Sequence, residues 1–152
     1  MIVVVDCNIV MAALIRDSYT RRLLTSQRIE ACSPAYVFEE LAEHAQEILR
    51  KSGLRDQEFN RLTSLLRRVI TEVPEHAYRH RLGKAAEIVA DADDAPYLAA
   101  ASVLAENGEC AIWTSDKAFL RKGKEIRQTF GILVLDSAAL ATRMRAIIGC
   151  VQ

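Results

Sequence analysis

The sequence predicts an α/β fold built around a mainly parallel sheet. The apolar run that precedes Asp6 lacks the alternation of a half-exposed strand, which indicates a first strand over residues 2–6 that is buried on both faces. Along the rest of the chain, short β-type segments alternate with longer segments of helical periodicity, as in a parallel sheet with crossover helices. The length of 152 residues, 51% of them hydrophobic, suits one domain with a full core.

Three predicted strands lie in the first half of the chain, and turn or capping residues separate them from helices. Ser33-Pro34 predicts a helix start, because proline is pre-set for the first helical turn. Gly53 predicts the end of that helix, Asp56 opens the next one, and Pro74 ends the third strand, which has the character of an edge strand. The predicted elements are strand 2–6, helix or turn 8–15, helix 18–27, strand 29–32, helix 35–51, helix 56–68 and strand 69–73.

The second half of the chain continues the alternation. Asn107-Gly108 is typical of a helix end, and Asp136 or Ser137 is expected to cap the last helix. We interpret residues 53–90 as a helical segment within one domain that spans residues 1–152. The predicted elements are helix 75–90, loop 91–94, helix 94–106, strand 111–114, helix 117–122, strand 132–135 and a last helix to about residue 148.

The overall charge gives little indication of a partner. Lys plus Arg and Asp plus Glu both number 20, so the net charge is zero, whereas a nucleic-acid binder is often basic. A local basic stretch could bind the phosphate backbone of a nucleic acid; the alternative is that these residues simply form part of a solvated surface. Its candidate residues are Lys117, Arg121, Lys122 and Lys124.

The cysteines and the hydropathy pattern predict a cytoplasmic protein without a membrane segment. The four cysteines include no C-x-x-C pair, which argues against a zinc site and fits a reduced cytosolic setting. Asp6 interrupts the N-terminal apolar run too early for a signal peptide. No apolar stretch approaches the roughly 18 residues that a membrane span needs.

Acidic residues fall at strand ends and helix starts, positions that meet at one edge of a parallel sheet. Asp6 ends the first strand, Asp116 follows the fourth, Asp94 begins a helix, and Glu40 or Glu39 lies on the first turns of another helix. Ligands of open α/β sheets bind beyond the carboxyl ends of the strands. Converging carboxylates repel one another unless a hard divalent cation lies between them. The pattern therefore predicts a metal-dependent enzyme that acts on phosphate esters.

The helical periodicity of the second acidic segment favours Glu40 over Glu39. Position 40 borders the predicted buried stripe of this helix, whereas position 39 points more nearly away from it, and Glu39 stays the alternative. The stripe consists of Val37, Leu41, Ala45 and Ile48.

Further polar residues beside these positions are candidates for supporting roles. Asp91 and Asp93 are secondary candidates for the metal site, with loop or capping chemistry as the alternative. Asn8, Thr114 and Ser115 could orient Asp6 and Asp116 or hold a metal-bound water, with simple turn chemistry as the alternative.

Four segments resemble, in order and spacing, the motifs of PIN-domain nucleases, and the resemblance covers about residues 2–140. It implies a three-layer α/β/α sandwich with a five-stranded parallel sheet in the order 3-2-1-4-5. It also implies Mg²⁺- or Mn²⁺-dependent cleavage of RNA by an active site that consists of Asp6, Glu40, Asp94 and Asp116. The segments are residues 3–8 (VVVDCN), 33–41 (SPAYVFEEL), 91–101 (DADDAPYLAAA) and 113–119 (WTSDKAF).

The same resemblance also implies protein partners. Other functions stay open from the residues alone. Many small PIN-domain proteins are VapC-like toxins and often dimers, which implies a toxin role, an antitoxin partner and a homodimer. The longer segment 53–90 departs from the shortest toxins and counts against the toxin role more than against the fold. The alternative is a non-catalytic RNA- or partner-binding domain. A phosphotransferase is disfavoured because Asn8 stands where a second Asp is expected, and a dinucleotide site lacks its glycine motif.

Overall fold

A five-stranded parallel sheet forms the centre of the molecule in a computed structural model that describes residues 1–15 and 18–149. The strand order is β3-β2-β1-β4-β5, and helices flank the sheet, so the α/β/α sandwich and its strand order are confirmed. The strands are β1 (Ile2–Val5), β2 (Glu30–Pro34), β3 (Thr71–Val73), β4 (Cys110–Trp113) and β5 (Leu133–Leu135).

The helices follow the strands in the alternation that the sequence predicts, with short 3₁₀ turns at three junctions. The 3₁₀ turns are Arg79–Arg81, Ala92–Asp94 and Ala105–Asn107. The α-helices are α1 (Cys7–Ile15), α2 (Ser18–Leu24), α3 (Tyr36–Glu43), α4 (Ala45–Ser52), α5 (Asp56–Val69), α6 (Glu75–Tyr78), α7 (Leu82–Ile88), α8 (Ala95–Leu104), α9 (Lys117–Arg121), α10 (Gly123–Phe130) and α11 (Ser137–Gly149).

The register of the two central strands brings their carboxyl ends level with each other. Val5 of β1 pairs with Trp113 of β4, and the Asp6 amide donates to the Trp113 carbonyl at 3.2 Å. Asp6 and Thr114, each one residue beyond its strand, therefore emerge side by side at the carboxyl edge of the sheet.

The core is densest where the central strands meet α8. Every residue of β4 is buried, as are Val3, Val4 and Val5 of β1, in agreement with the predicted two-sided burial of the first strand. Ala99, Ala100 and Ala101 of α8 are fully buried, and their small side chains let the helix backbone lie close to the sheet. Within the described ranges, no helix combines the length and apolar character needed to cross a membrane.

The predicted helix start at Ser33-Pro34 is wrong, because both residues belong to β2. The Ser33 hydroxyl donates to the Val5 carbonyl at 2.7 Å, and Pro34 pairs with Val73 of β3. Pairing with a distant strand thus extends β2 by two residues, and α3 begins only at Tyr36.

Several predicted helices differ from the structure in their boundaries. The helix predicted over 35–51 is interrupted at His44, which joins α3 to α4 with φ −91° and ψ 5°. The helix predicted over 75–90 divides into α6, a 3₁₀ turn and α7, the loop predicted over 91–94 contains a 3₁₀ turn, and α2 ends at Leu24 instead of 27. Helix α10 was not predicted, because its residues are mostly polar and Ile126 is the only one that is fully buried.

Candidate active site

The predicted acidic residues meet in one cleft at the carboxyl edge of the sheet, which we call the acidic cleft. Its volume is about 130 Å³. The structure brings Asp6, Glu40, Asp94 and Asp116 together here, with Asn8 and the secondary candidates Asp91 and Asp93 beside them. The lining residues are Asp6, Cys7, Asn8, Met11, Glu40, His44, Asp91, Asp93, Asp94, Tyr97 and Asp116.

Asp6 is the most enclosed carboxylate of the cleft, with a relative exposure of 3%. One oxygen accepts from the Ile9 amide at 2.9 Å, and the other accepts from the Thr114 hydroxyl. Burial raises the pKa of Asp6 to about 6, and the nearby charges of Asp116 and Glu40 raise it as well, against the lowering effect of the two hydrogen bonds. Asp6 is therefore held rigidly in a position that its charge disfavours.

Thr114 connects Asp6 to Asp116 through a single hydroxyl group. This hydroxyl donates to Asp6 and accepts from the Asp116 amide at 3.0 Å. The Asp116 carboxylate in turn caps α9 by accepting from the Phe119 amide at 2.9 Å. Thr114 thus orients both aspartates. Of the other two predicted supporting residues, Asn8 lines the cleft, whereas Ser115 is exposed and lies outside its lining.

Asp94 lies opposite, at the start of α8, and its carboxylate makes no capping hydrogen bond. Burial raises the pKa of Asp94 to about 7, and Asp116, Asp91, Asp6 and Glu40 raise it further through charge repulsion. Asp91 caps the preceding 3₁₀ turn, Ala92–Asp94, by accepting from the Asp93 amide at 3.1 Å. Asp94 is therefore the carboxyl group that most readily keeps a proton near neutral pH.

The two consecutive glutamates of α3 point to different places. Glu40 lines the acidic cleft, and the buried Tyr97 donates its hydroxyl proton to Glu40 Oε2. Burial raises the pKa of Glu40, and the hydrogen bond from Tyr97 lowers it. Glu39 is exposed and lines a neighbouring pocket with Glu75. The sequence reasoning missed Tyr97, although a buried tyrosine needs a hydrogen-bond partner and Tyr97 lies one helical turn from Asp94.

The donor groups of the cleft fit a hard divalent cation. Carboxylate oxygens dominate the lining, and burial, followed by the charges of Glu40 and Asp6, raises the pKa of the Cys7 thiol to about 12, so no thiolate is present. In the described part of the chain, no group of three Asp, Glu, His or Cys side chains is arranged to hold one ion.

Comparison with known proteins agrees with this geometry. A family model described as PIN domain matches residues 4–135, a range that contains all four of the predicted acidic residues. A search of curated proteins found no match. PIN domains are generally nucleases, and the parallel sheet in the order 3-2-1-4-5 is the architecture that this family implies. From the match over most of its length and from its fold, the chain belongs to the PIN domain family.

Proposed function

We propose that this protein is a metal-dependent endoribonuclease that hydrolyses RNA phosphodiester bonds in the acidic cleft. The observation that carries the proposal is the convergence of Asp6, Glu40, Asp94 and Asp116 on one cleft, whose described lining residues include no Lys or Arg. Burial raises the pKa values of Asp6 and Asp94, and repulsion among these groups acts in the same direction. A divalent cation relieves such repulsion, and phosphoryl chemistry uses that cation.

Each carboxylate has a role that its local contacts support. Asp6, Asp94 and Asp116 would hold Mg²⁺ or Mn²⁺, directly or through water, and Glu40 would complete the acidic ring. A bound cation would lower the pKa of a water molecule and offset charge on the phosphate. Thr114 fixes Asp6 and Asp116, and Tyr97 fixes Glu40, so these groups need little rearrangement for catalysis.

The basic side chains that follow Asp116 support RNA as the substrate. Lys117 and Arg121 lie on α9, which Asp116 caps, and both are exposed. Cations at this position attract a phosphate backbone toward the acidic cleft, although the protein as a whole carries no net charge.

The test is metal-stimulated cleavage of single-stranded RNA by the wild-type protein and the Asp6→Asn variant. We expect Asp6→Asn to lose at least about 10²-fold in rate, because it removes a preorganised charge at the reaction site. Asp56→Asn is the matched control, since Asp56 is exposed at the start of α5, and it should cleave at the wild-type rate. Unchanged cleavage by a folded Asp6→Asn protein contradicts the proposal.

One observation favours the alternative, a non-catalytic RNA- or partner-binding domain. Across residues 1–15 and 18–149, no three ligand side chains are grouped as a metal site. Calorimetric titration with Mn²⁺ separates the two functions, because a binding domain need not take up the ion. Mn²⁺ uptake by the wild-type protein that Asp6→Asn weakens supports the nuclease, and RNA binding without metal uptake supports the alternative.

We further propose that the protein is the toxin of a toxin–antitoxin pair and acts as a cytoplasmic homodimer. The support is the resemblance of its four motifs to PIN-domain nucleases, many small members of which are VapC-like toxins. Expression of the wild-type chain should arrest growth, and Asp6→Asn should relieve the arrest. Light scattering should give twice the 17.0 kDa mass of the chain, and a monomeric mass contradicts the homodimer.

A further inference from the structure

A second cavity of about 180 Å³ adjoins the acidic cleft, and we call it the side pocket. The two cavities share the backbone of α3, where Glu39 faces the side pocket and Glu40 the cleft. They also share the start of α8, where Pro96 lines the side pocket and Tyr97 lines the cleft. The side pocket is lined by Ala35, Tyr36, Glu39, Glu75, Tyr78, Leu82 and Pro96.

Tyr36 marks the border between the two cavities. Burial raises the pKa of its phenol, and the charges of Glu40 and Asp93, both in the acidic cleft, raise it further. Its side chain is nevertheless only partly buried and lines the side pocket. A ligand in the side pocket would lie against the same two helices, α3 and α8, that supply Glu40 and Tyr97 to the cleft.

The lining of the side pocket selects against phosphate and in favour of a flat ligand that donates hydrogen bonds. Its polar groups are the carboxylates of Glu39 and Glu75 and the phenols of Tyr36 and Tyr78, and none of the described residues that line it is Lys, Arg or His. Glu75 is already engaged by Arg79, whose Nε lies 3.1 Å from its Oε1.

Glu39 is the acceptor that remains available in the side pocket. Within the ranges that the structure describes, no hydrogen bond or ion pair engages its carboxylate. The carboxylate is exposed at the pocket and presents two oxygens side by side. A ligand with two adjacent N–H donors would therefore match it best.

We propose that the side pocket binds one unstacked guanine base of the RNA, with Tyr36 against the face of the base and Glu39 accepting from its N1–H and N2–H₂ groups. This inference rests on the proposed nuclease function. Guanine alone presents two adjacent donors on its Watson–Crick edge, while adenine and cytosine place an acceptor beside their amino group. The cavity is smaller than the roughly 300 Å³ of a typical ligand site, which suits a single base, and aromatic stacking is how proteins hold unstacked bases.

The test uses short single-stranded RNAs that contain one guanosine, replaced in turn by inosine, which lacks the N2 amino group, and by 7-deazaguanosine, which keeps it. We expect the wild-type protein to cleave at a fixed distance from the guanosine and to slow about tenfold with inosine, the effect of losing half of a bidentate pair. The 7-deaza substrate should be cleaved at the guanosine rate. Equal rates for guanosine and inosine overturn the proposal.

Two variants assign the discrimination to the side pocket. Glu39→Gln should bring the guanosine-to-inosine ratio to about one, whereas Tyr36→Ala should weaken all substrates about tenfold through lost stacking. The matched control is Glu87→Gln, an exposed glutamate on α7 outside both linings, which should keep the wild-type ratio. An unchanged ratio in a folded Glu39→Gln protein overturns the assignment.

Binding measured on the Asp6→Asn variant separates this proposal from the nuclease function. Preferential binding of the guanosine RNA that Glu39→Gln abolishes supports the side pocket even where no RNA is cleaved. Cleavage by the wild-type protein without guanosine preference leaves the nuclease function standing and overturns the side pocket. Glu39-dependent binding of an arginine-containing peptide in place of the guanosine RNA also overturns it, in favour of a protein partner.

Discussion

The floor of the acidic cleft (Asp6, Thr114 and Asp116) and its rim (Asp91, Asp93 and Asp94) hold negative charge in different ways. Asp6 is almost fully buried, yet its pKa is about 6, while the pKa of the more exposed Asp94 is about 7. Thr114 and Ile9 donate hydrogen bonds to Asp6, whereas Asp94 is surrounded by other carboxylates. Burial is the main cause of both raised pKa values, and the two hydrogen bonds to Asp6 offset part of it, so the more buried acid does not have the higher pKa.

This difference divides the proton chemistry of the cleft between its two sides. Near neutral pH the floor carboxylate Asp6 is mostly ionised, and the rim carboxylate Asp94 is about half protonated. Environments that separate the pKa values of neighbouring acids are a common basis for acid and base roles. Cation binding should therefore release a proton chiefly from the rim.

The largest effect that would test this comparison is the pH dependence of stability without divalent cation. Between about pH 4 and pH 6 the folded protein keeps a proton on Asp6 that the unfolded chain has lost, so the free energy of unfolding should fall as pH rises through this window. The pKa shift corresponds to about 3 kcal/mol for Asp6. Urea denaturation of the wild-type and Asp6→Asn proteins at several pH values measures it.

The difference between the two proteins reports the titration of Asp6 together with its effect on Asp94, whose pKa the charge of Asp6 raises. Asp6→Asn should become more stable than the wild type as pH rises to neutrality, since it has no charge to bury. Saturating Mg²⁺ should recover part of the wild-type loss, because the ion binds the folded state. A stability difference that does not change with pH contradicts the raised pKa of Asp6.

A smaller effect is expected from Thr114→Val, which removes the hydroxyl that serves both aspartates of the floor. The variant leaves the Asp116 amide without its acceptor and Asp6 with one hydrogen bond fewer, so we expect a loss of about 1–3 kcal/mol in unfolding free energy. The pKa of Asp6 should rise further. Chemical denaturation and NMR titration measure the two effects.

Thr142→Val is the control for Thr114→Val. Thr142 is exposed, and its hydroxyl donates to the Ala138 carbonyl at 3.0 Å, so its replacement should change stability by less than about 0.5 kcal/mol. Equal losses in the two variants would show that the floor hydroxyl has no special role.

Tyr97→Phe should have an effect of about 1 kcal/mol on stability, the typical net value of one hydrogen bond. It removes the donor that holds Glu40 and should raise the pKa of Glu40 further, because this bond lowers it. A double-mutant cycle with Glu40→Gln measures the coupling in both stability and RNA cleavage. Additive effects in both measurements contradict a positioning role for Tyr97.

The sequence predicted strands that are buried on both faces better than it predicted segments whose structure depends on pairing with residues far away in the chain. The residues of β1 and β4 form continuous apolar runs, and both strands were placed within one residue. Ser33 and Pro34 carry a local helix-start signal, and only their pairing with Val5 and β3 keeps them in the sheet. Local propensity cannot report such a pairing.

The same limit applies to the acidic cleft. The convergence of Asp6 and Asp116 followed from the rule that parallel strands end at a common edge, and the helical period favoured Glu40 over Glu39. The hydrogen bond between Tyr97 and Glu40 joins residues on separate helices, and no spacing in the sequence reveals it. The side pocket, which combines α3, α6, α7 and α8, was invisible for the same reason.

The smallest effect gives the sharpest test of how charge is distributed on the rim. Asp91→Asn keeps an oxygen that can accept from the Asp93 amide, so stability should change by less than about 0.5 kcal/mol. The variant removes a charge that raises the pKa of Asp94, and the pKa of Asp94 should therefore fall. Asp93→Asn is the matched variant, because Asp93 raises the pKa of Glu40 instead. NMR titration should therefore show Asp94 responding to the first variant and Glu40 to the second. If both variants changed the pKa values of Asp94 and Glu40 by the same amounts, the rim would act as one diffuse charge. Two neighbouring aspartates can affect different acids only when the electrostatic interaction of each is strongest with its nearest acid.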